Sequence, residues 1–198
     1  MPSRLIIREI AETFLVVMLV FLALQITVRT YQVEGSSMAP TMDHTDYVLV
    51  NKIVYTKFQK NVLSNFLPFV DMASKEVMFP FHTPQRGEIV IFKYPQDETR
   101  EFVKRVVGIS GDLVEIKKGY VYVNGEKITE EYVSYRDNGS TRKYKVGSYS
   151  YFVLGDNRIS SNDSRDWGVV PAKNIVGKPW FTLWSSRNNE NGIFSFLK

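Results

Sequence analysis

From Thr13 to Val28 the chain reads T-F-L-V-V-M-L-V-F-L-A-L-Q-I-T-V, without one charged residue. A helix crossing a bilayer core needs about 20 apolar residues, with a range reaching down to roughly 17. The run reaches that length if Arg29 snorkels and Tyr31 sits at the interface. A buried helix of a water-soluble domain would carry a polar stripe, and Phe14–Leu24 has none. A cleavable leader would end in a small-residue cut site, whereas Gln32, Val33 and Glu34 follow here. The sequence therefore predicts an uncleaved transmembrane anchor over 13–30, after a short cytoplasmic N-terminus at 1–12, with one extracytoplasmic domain at 31–198. Arg4 and Arg8 precede the span, which favours the N-terminus inside.

The remaining chain is long enough for one modest domain. It is 44% hydrophobic and 14% aromatic overall, with thirteen Phe and eleven Tyr, a composition that fills a core and leans toward sheet. There are no cysteines, so disulfides, thiol nucleophiles and thiolate metal sites are all excluded. His44 and His82 are the two histidines, and no H-E-x-x-H spacing exists. The expectation is no metal and no cofactor. The net charge of +4 comes from scattered lysines and arginines. That suits a surface near anionic lipid, and no basic stripe or motif suggests nucleic acid.

Short apolar, β-branched runs bounded by turn residues recur: Tyr47–Asn51, Glu88–Phe92 after Pro84-Gln-Arg-Gly87, Phe102–Val107, Leu113–Lys117, Tyr120–Val123, Tyr149–Leu154 and Trp180–Trp184. Lys118-Gly119 and Asn124-Gly125 mark tight turns. No helical period of comparable strength follows the anchor. The predicted fold is mainly β: a folded, antiparallel, barrel-like sheet behind a transmembrane helix. A hydrophobic insertion at about 57–82, carrying Phe66, Phe69, Phe79 and Phe81, lacks a clean period. It reads equally as a loop packed on the core or as a flap at the membrane interface.

Two dense patterns carry candidate chemistry, G-S-S-M-A-P-T-M over 35–42 and F-V-K-R-V-V-G-I-S-G-D over 102–112. A serine hydroxyl needs a positioned base, and neither histidine sits in promising company. In an extended strand Phe102, Lys104 and Val106 share a face, so Lys104 is a candidate for desolvation and a lowered pKa. An edge lysine snorkelling into solvent is the plainer alternative for any isolated lysine.

A third pattern, G-D-N-R-I-S-S-N-D-S-R-D-W-G over 155–168, and R-G-E-I-V-I-F-K-Y-P over 86–95 complete the set. Together, and in this order after an anchor, the blocks resemble the type I bacterial signal peptidases, membrane-bound Ser/Lys endopeptidases of signal-peptide processing in protein secretion. The resemblance implies Ser37 as nucleophile, Lys104 as general base and Ser161 as the hydroxyl orienting the lysine. It implies supporting ion pairs between Arg105 and Asp156 and between Asp163 and Arg165. Val33, Gly35, Met38, Met42, Phe102 and Val103 match pocket-lining positions for small residues at −1 and −3, with the substrate added as a strand. Its partners would be signal peptides of preproteins and the phospholipid bilayer, and the chain would be monomeric in the plasma membrane. Gly35 stands where part of the family carries a serine that serves as a second oxyanion donor, and Ser110 where proline is common. Two other readings stay open: a self-cleaving repressor-type protease, although no helix-turn-helix pattern is present, and a catalytically silent membrane protein that binds signal peptides.

Overall fold

The computed structural model describes residues 2–56, 58–59, 77–79, 81–137, 139, 141–185 and 195–196. Helix α1 runs from Pro2 to Thr27. Within it Ile6–Thr27 is long and apolar enough to cross a membrane, and none of the described residues covers it. The chain leaves the helix directly into strand β1 (Val28–Gln32), so Arg29 and Tyr31 lie on a strand and do not prolong the helix. The cause is pairing: β1 runs antiparallel to β2 (Tyr47–Asn51) in register from Val28↔Asn51 to Gln32↔Tyr47.

A small ribbon joins β3 (Phe58–Gln59) and β4 (Val77–Met78). The rest of the insertion expected at 57–82 lies mostly outside the described residues. Of its aromatic residues, Phe79 is half-buried and meets Tyr55 edge-on, and Phe81 is exposed.

A hairpin forms the centre. Strand β5 (Ile89–Tyr94) buries Ile89, Val90, Ile91 and Phe92 in succession, as a strand covered on both faces must. Strand β6 (Asp97–Gly108) exposes its first half and buries its second, which takes Lys104 out of water. A second, four-stranded sheet has the order β10-β7-β8-β9, from β7 (Leu113–Lys117), β8 (Tyr120–Val123), β9 (Glu126–Lys127) and β10 (Arg142–Lys145). Positive φ at Lys118 and Gly119, and again at Asn124 and Gly125, makes both connections the tight hairpins their composition predicts.

Strand β11 (Ser150–Leu154) returns to β6, and β12 (Val170–Pro171) lies beside it. Strand β13 (Ile175–Trp184) crosses back between β2 and β5, with β14 (Ser195–Phe196) on its flank. The main sheet thus follows an open path, β1-β2-β13-β5-β6-β11-β12. Three apolar clusters fill the folds of the two sheets, centred on Phe92 and Val106, on Met38 and Met42, and on Phe152 and Val107. One short helix escaped the sequence reading, α2 (Ser164–Trp167). Its signal was Asp163 three residues before Asp166, which form a reciprocal capping box.

Candidate active site

Past β1 the chain buries Val33 and turns at Gly35, whose φ of +84° favours a residue without a Cβ. Ser36 and Ser37 follow at the mouth of a one-turn loop closed by the Met42 N–H donating to the Met38 carbonyl at 3.0 Å. That loop is anchored by burial of Met38 and Met42. Across from it, β6 presents Lys104. Its Nζ lies 2.8 Å from Ser37 Oγ and donates as well to the Val103 carbonyl at 2.9 Å. Lys104 is 5% exposed, with the Phe102 ring 5.5 Å away. Burial pulls its pKa from 10.5 to about 8, while the carboxylates of Asp163 and Asp156 hold it from falling further. The desolvated lysine expected from strand alternation is therefore present.

The 155–168 loop packs behind the pair. Gly155 leaves room for two groups at once: a Cβ there would stand 2.2 Å from Ser161 Oγ and 2.5 Å from the Ser37 carbonyl oxygen. The Asn157 N–H donates to that same carbonyl at 3.0 Å. Ser161 comes beside the pair, yet its Oγ is buried without a hydrogen-bond partner among the described residues. The bond to Lys104 that the resemblance implies is not formed in this structure; the amine spends its contact on the Val103 carbonyl instead.

Both expected ion pairs form. Arg105 grips Asp156 through Nε at 2.9 Å and Nη2 at 2.7 Å, both side chains almost fully buried. Arg165 grips Asp163 through Nε at 2.8 Å, and Asp163 also accepts the Gly155 N–H at 3.0 Å. Several supports had no distinct sequence signal. The Thr41 hydroxyl donates to Asp156 at 2.5 Å, and the Tyr132 ring lies 4.0 Å from the Arg105 guanidinium. Glu130 is buried between Arg158 and Arg136. His44 accepts the Gly35 N–H through Nδ1 at 3.1 Å. His82 bonds Glu88 at 2.9 Å and stacks on Tyr55.

A cleft of about 510 Å3 opens beside Ser37 and Lys104, between the segment around Val33–Gly35 and the Phe102–Val103 stretch. Val33, Gly35, Phe102 and Val103 line it as expected. Met38 and Met42 do not: they lie beneath its floor, 1% and 0% exposed, packed with Val48, Val50 and Ile89. Their long apolar side chains serve the core, and Val48 and Ile91 reach the cleft instead. Tyr31, Arg100 and Glu101 also line it.

The family model described as signal peptidase, peptidase S26, matches residues 6–184. A signal peptidase I of Pseudomonas fluorescens is 33% identical, the alignment covering 90% of this chain and 72% of that protein. A probable signal peptidase I-1 of Synechocystis sp. is 31% identical, covering 91% of this chain and 86% of the relative. A crystal structure of a signal peptidase I from Enterococcus faecalis V583 is 32% identical and covers 48% of this chain, with a TM-score of 0.44. With its buried lysine set against a serine and a family match across nearly its whole length, the chain belongs to the signal peptidase family, peptidase S26.

Proposed function

We propose that Ser37 is the nucleophile and Lys104 the general base of a serine endopeptidase that removes N-terminal signal peptides from exported preproteins. The observation that carries this is the 2.8 Å approach of a desolvated amine to a serine hydroxyl at the end of an open cleft. With the amine neutral, Ser37 Oγ–H donates to Nζ. Attack of Oγ on the scissile carbonyl passes that proton to Lys104, and the ammonium then protonates the leaving amine. The signal peptide remains as an ester on Ser37. Water attacks the ester, Lys104 takes its proton, and the signal peptide leaves with a carboxylate as Ser37 is restored.

The Ser37 backbone N–H supplies an oxyanion donor. Ser161, whose hydroxyl has no partner among the described residues, turns to the amine when substrate excludes water and fixes its direction. Arg105 with Asp156 and Arg165 with Asp163 keep the two loops in place. An extended peptide adds as a strand between Val33–Gly35 and Phe102–Val103, where the cleft walls suit small residues at −1 and −3. Helix α1 is the anchor in the plasma membrane bilayer. Its N-terminus lies in the cytoplasm, and the monomeric peptidase domain, with the 57–82 insertion, stands on the outer face.

The test is cleavage of a preprotein ending its signal peptide in Ala-x-Ala by purified protein in detergent. Release of the mature chain by the wild type, and its loss in Ser37→Ala and in Lys104→Met, is the expected result. Retained cleavage in either variant refutes the assignment.

A further inference from the structure

A second groove, of about 580 Å3, lies next to the cleft. Arg142 and Tyr144 of β10 line one side of it, and the loop carrying Ile159 and Ser161 lines the other. Ser160 and Asn162 line both this groove and the cleft. The two cavities therefore meet at the ridge that this loop forms.

The meeting point is the catalytic end of the cleft. The loop is tied to Ser37 through the Asn157 N–H, and Ser161 shares the space over Gly155 with the Ser37 carbonyl. Arg100 also lines the cleft, and it stands on β6 four residues before Lys104, so along that strand the cleft runs away from the catalytic pair. A peptide with its scissile carbonyl at Ser37 fills the cleft with the residues before the cut. The residues after the cut leave past Ser37, over the ridge.

We propose that the second groove holds the first residues of the mature polypeptide, immediately after the scissile bond. This rests on the peptidase reading above and extends it to the other side of the bond. The walls suit an extended chain of mixed sequence. Tyr144 and Ile159 offer apolar surface, and Arg142 and Asn162 offer donors. Arg142 and Ile159 are exposed, so their removal leaves the core intact.

Two peptides with one signal sequence test this, the first ending one residue after the cut and the second six residues after it. The wild type cuts the longer peptide with kcat/KM about fivefold higher or more, the effect of one or two added polar contacts. The double variant Arg142→Ala, Ile159→Ala loses that advantage and cuts the shorter peptide as before. No advantage in the wild type, or an equal loss on both peptides, overturns the proposal. A preprotein carrying benzophenone three residues after the cut, bound to the Ser37→Ala protein, gives the readout without turnover. Adducts on the 142–144 and 159–162 segments support the groove, and adducts confined to other segments overturn it. Failure of the wild type to cut either peptide would instead overturn the peptidase reading, and the adducts would still decide what the groove holds.

Discussion

Lys104 Nζ stands 2.8 Å from Ser37 Oγ, although 67 positions separate the two residues in the chain. The approach is made inside protein, where the amine loses its hydration and the charged form is disfavoured. With Lys104 as the proposed base, only its neutral form is competent, so activity should rise with pH through the lysine's own titration. A rate profile for preprotein cleavage should show an acidic limb near pH 8, far below that of a free lysine. A flat profile between pH 6 and 9 would rule out the amine as base.

The same burial costs stability. A fall from 10.5 to about 8 corresponds to about 3 kcal/mol against the folded state while the unfolded chain holds its proton. The sign is fixed: the unfolded lysine binds more protons between the two values, so this group's contribution improves as pH rises from about 8 to 10.5 and the penalty is complete below 8. Lys104→Met should therefore abolish cleavage and raise the midpoint of thermal unfolding at pH 7. A lower midpoint would show that Lys104 stabilises the fold.

Neutralising Asp156 removes one of the two charges that hold the Lys104 pKa up. It also leaves Arg105 buried without its partner, a loss of about 3–5 kcal/mol. Asp156→Asn should unfold at lower denaturant concentration, and the folded fraction should show its acidic limb displaced to lower pH. An unmoved limb would mean that Asp156 acts only through the scaffold.

Gly155→Ala places a methyl group against Ser161 and the Ser37 carbonyl. Backbone cannot yield cheaply there, so about 1–3 kcal/mol of stability and most of the activity should go together. Gly147→Ala, where a Cβ meets nothing within 4 Å, serves as the neutral control. Equal behaviour of the two variants in denaturant melts and cleavage assays would contradict the packing argument.

Ser161→Ala separates orientation from architecture. Its hydroxyl is buried and has no partner among the described residues, so removal should leave the thermal midpoint unchanged or slightly higher. If the hydroxyl steers the amine in the substrate complex, kcat should fall about tenfold or more, with KM little changed. Rescue by Ser161→Thr and not by Ser161→Val would identify the hydroxyl as the cause.

Local chemistry made much of this molecule legible in one dimension. The uncharged run into α1 declares its solvent, the β-branched runs declare strands, and Lys118-Gly119 and Asn124-Gly125 declare their hairpins, because each depends on residues adjacent in the chain. The serine and lysine could be picked from their motifs for the same reason. Where a side chain faces once distant segments meet is another matter. Met38 and Met42 sit within the nucleophile's motif, yet packing with Val48 and Val50 draws them under the cleft floor. Thr41, Tyr132 and Glu130 support the site through partners tens of residues away. Tertiary structure alone also joined two cavities at Ser160 and Asn162, since neither wall's sequence contains the other. Burial and contact are properties of the assembled chain, and so they were decided when the sheets closed on the loops.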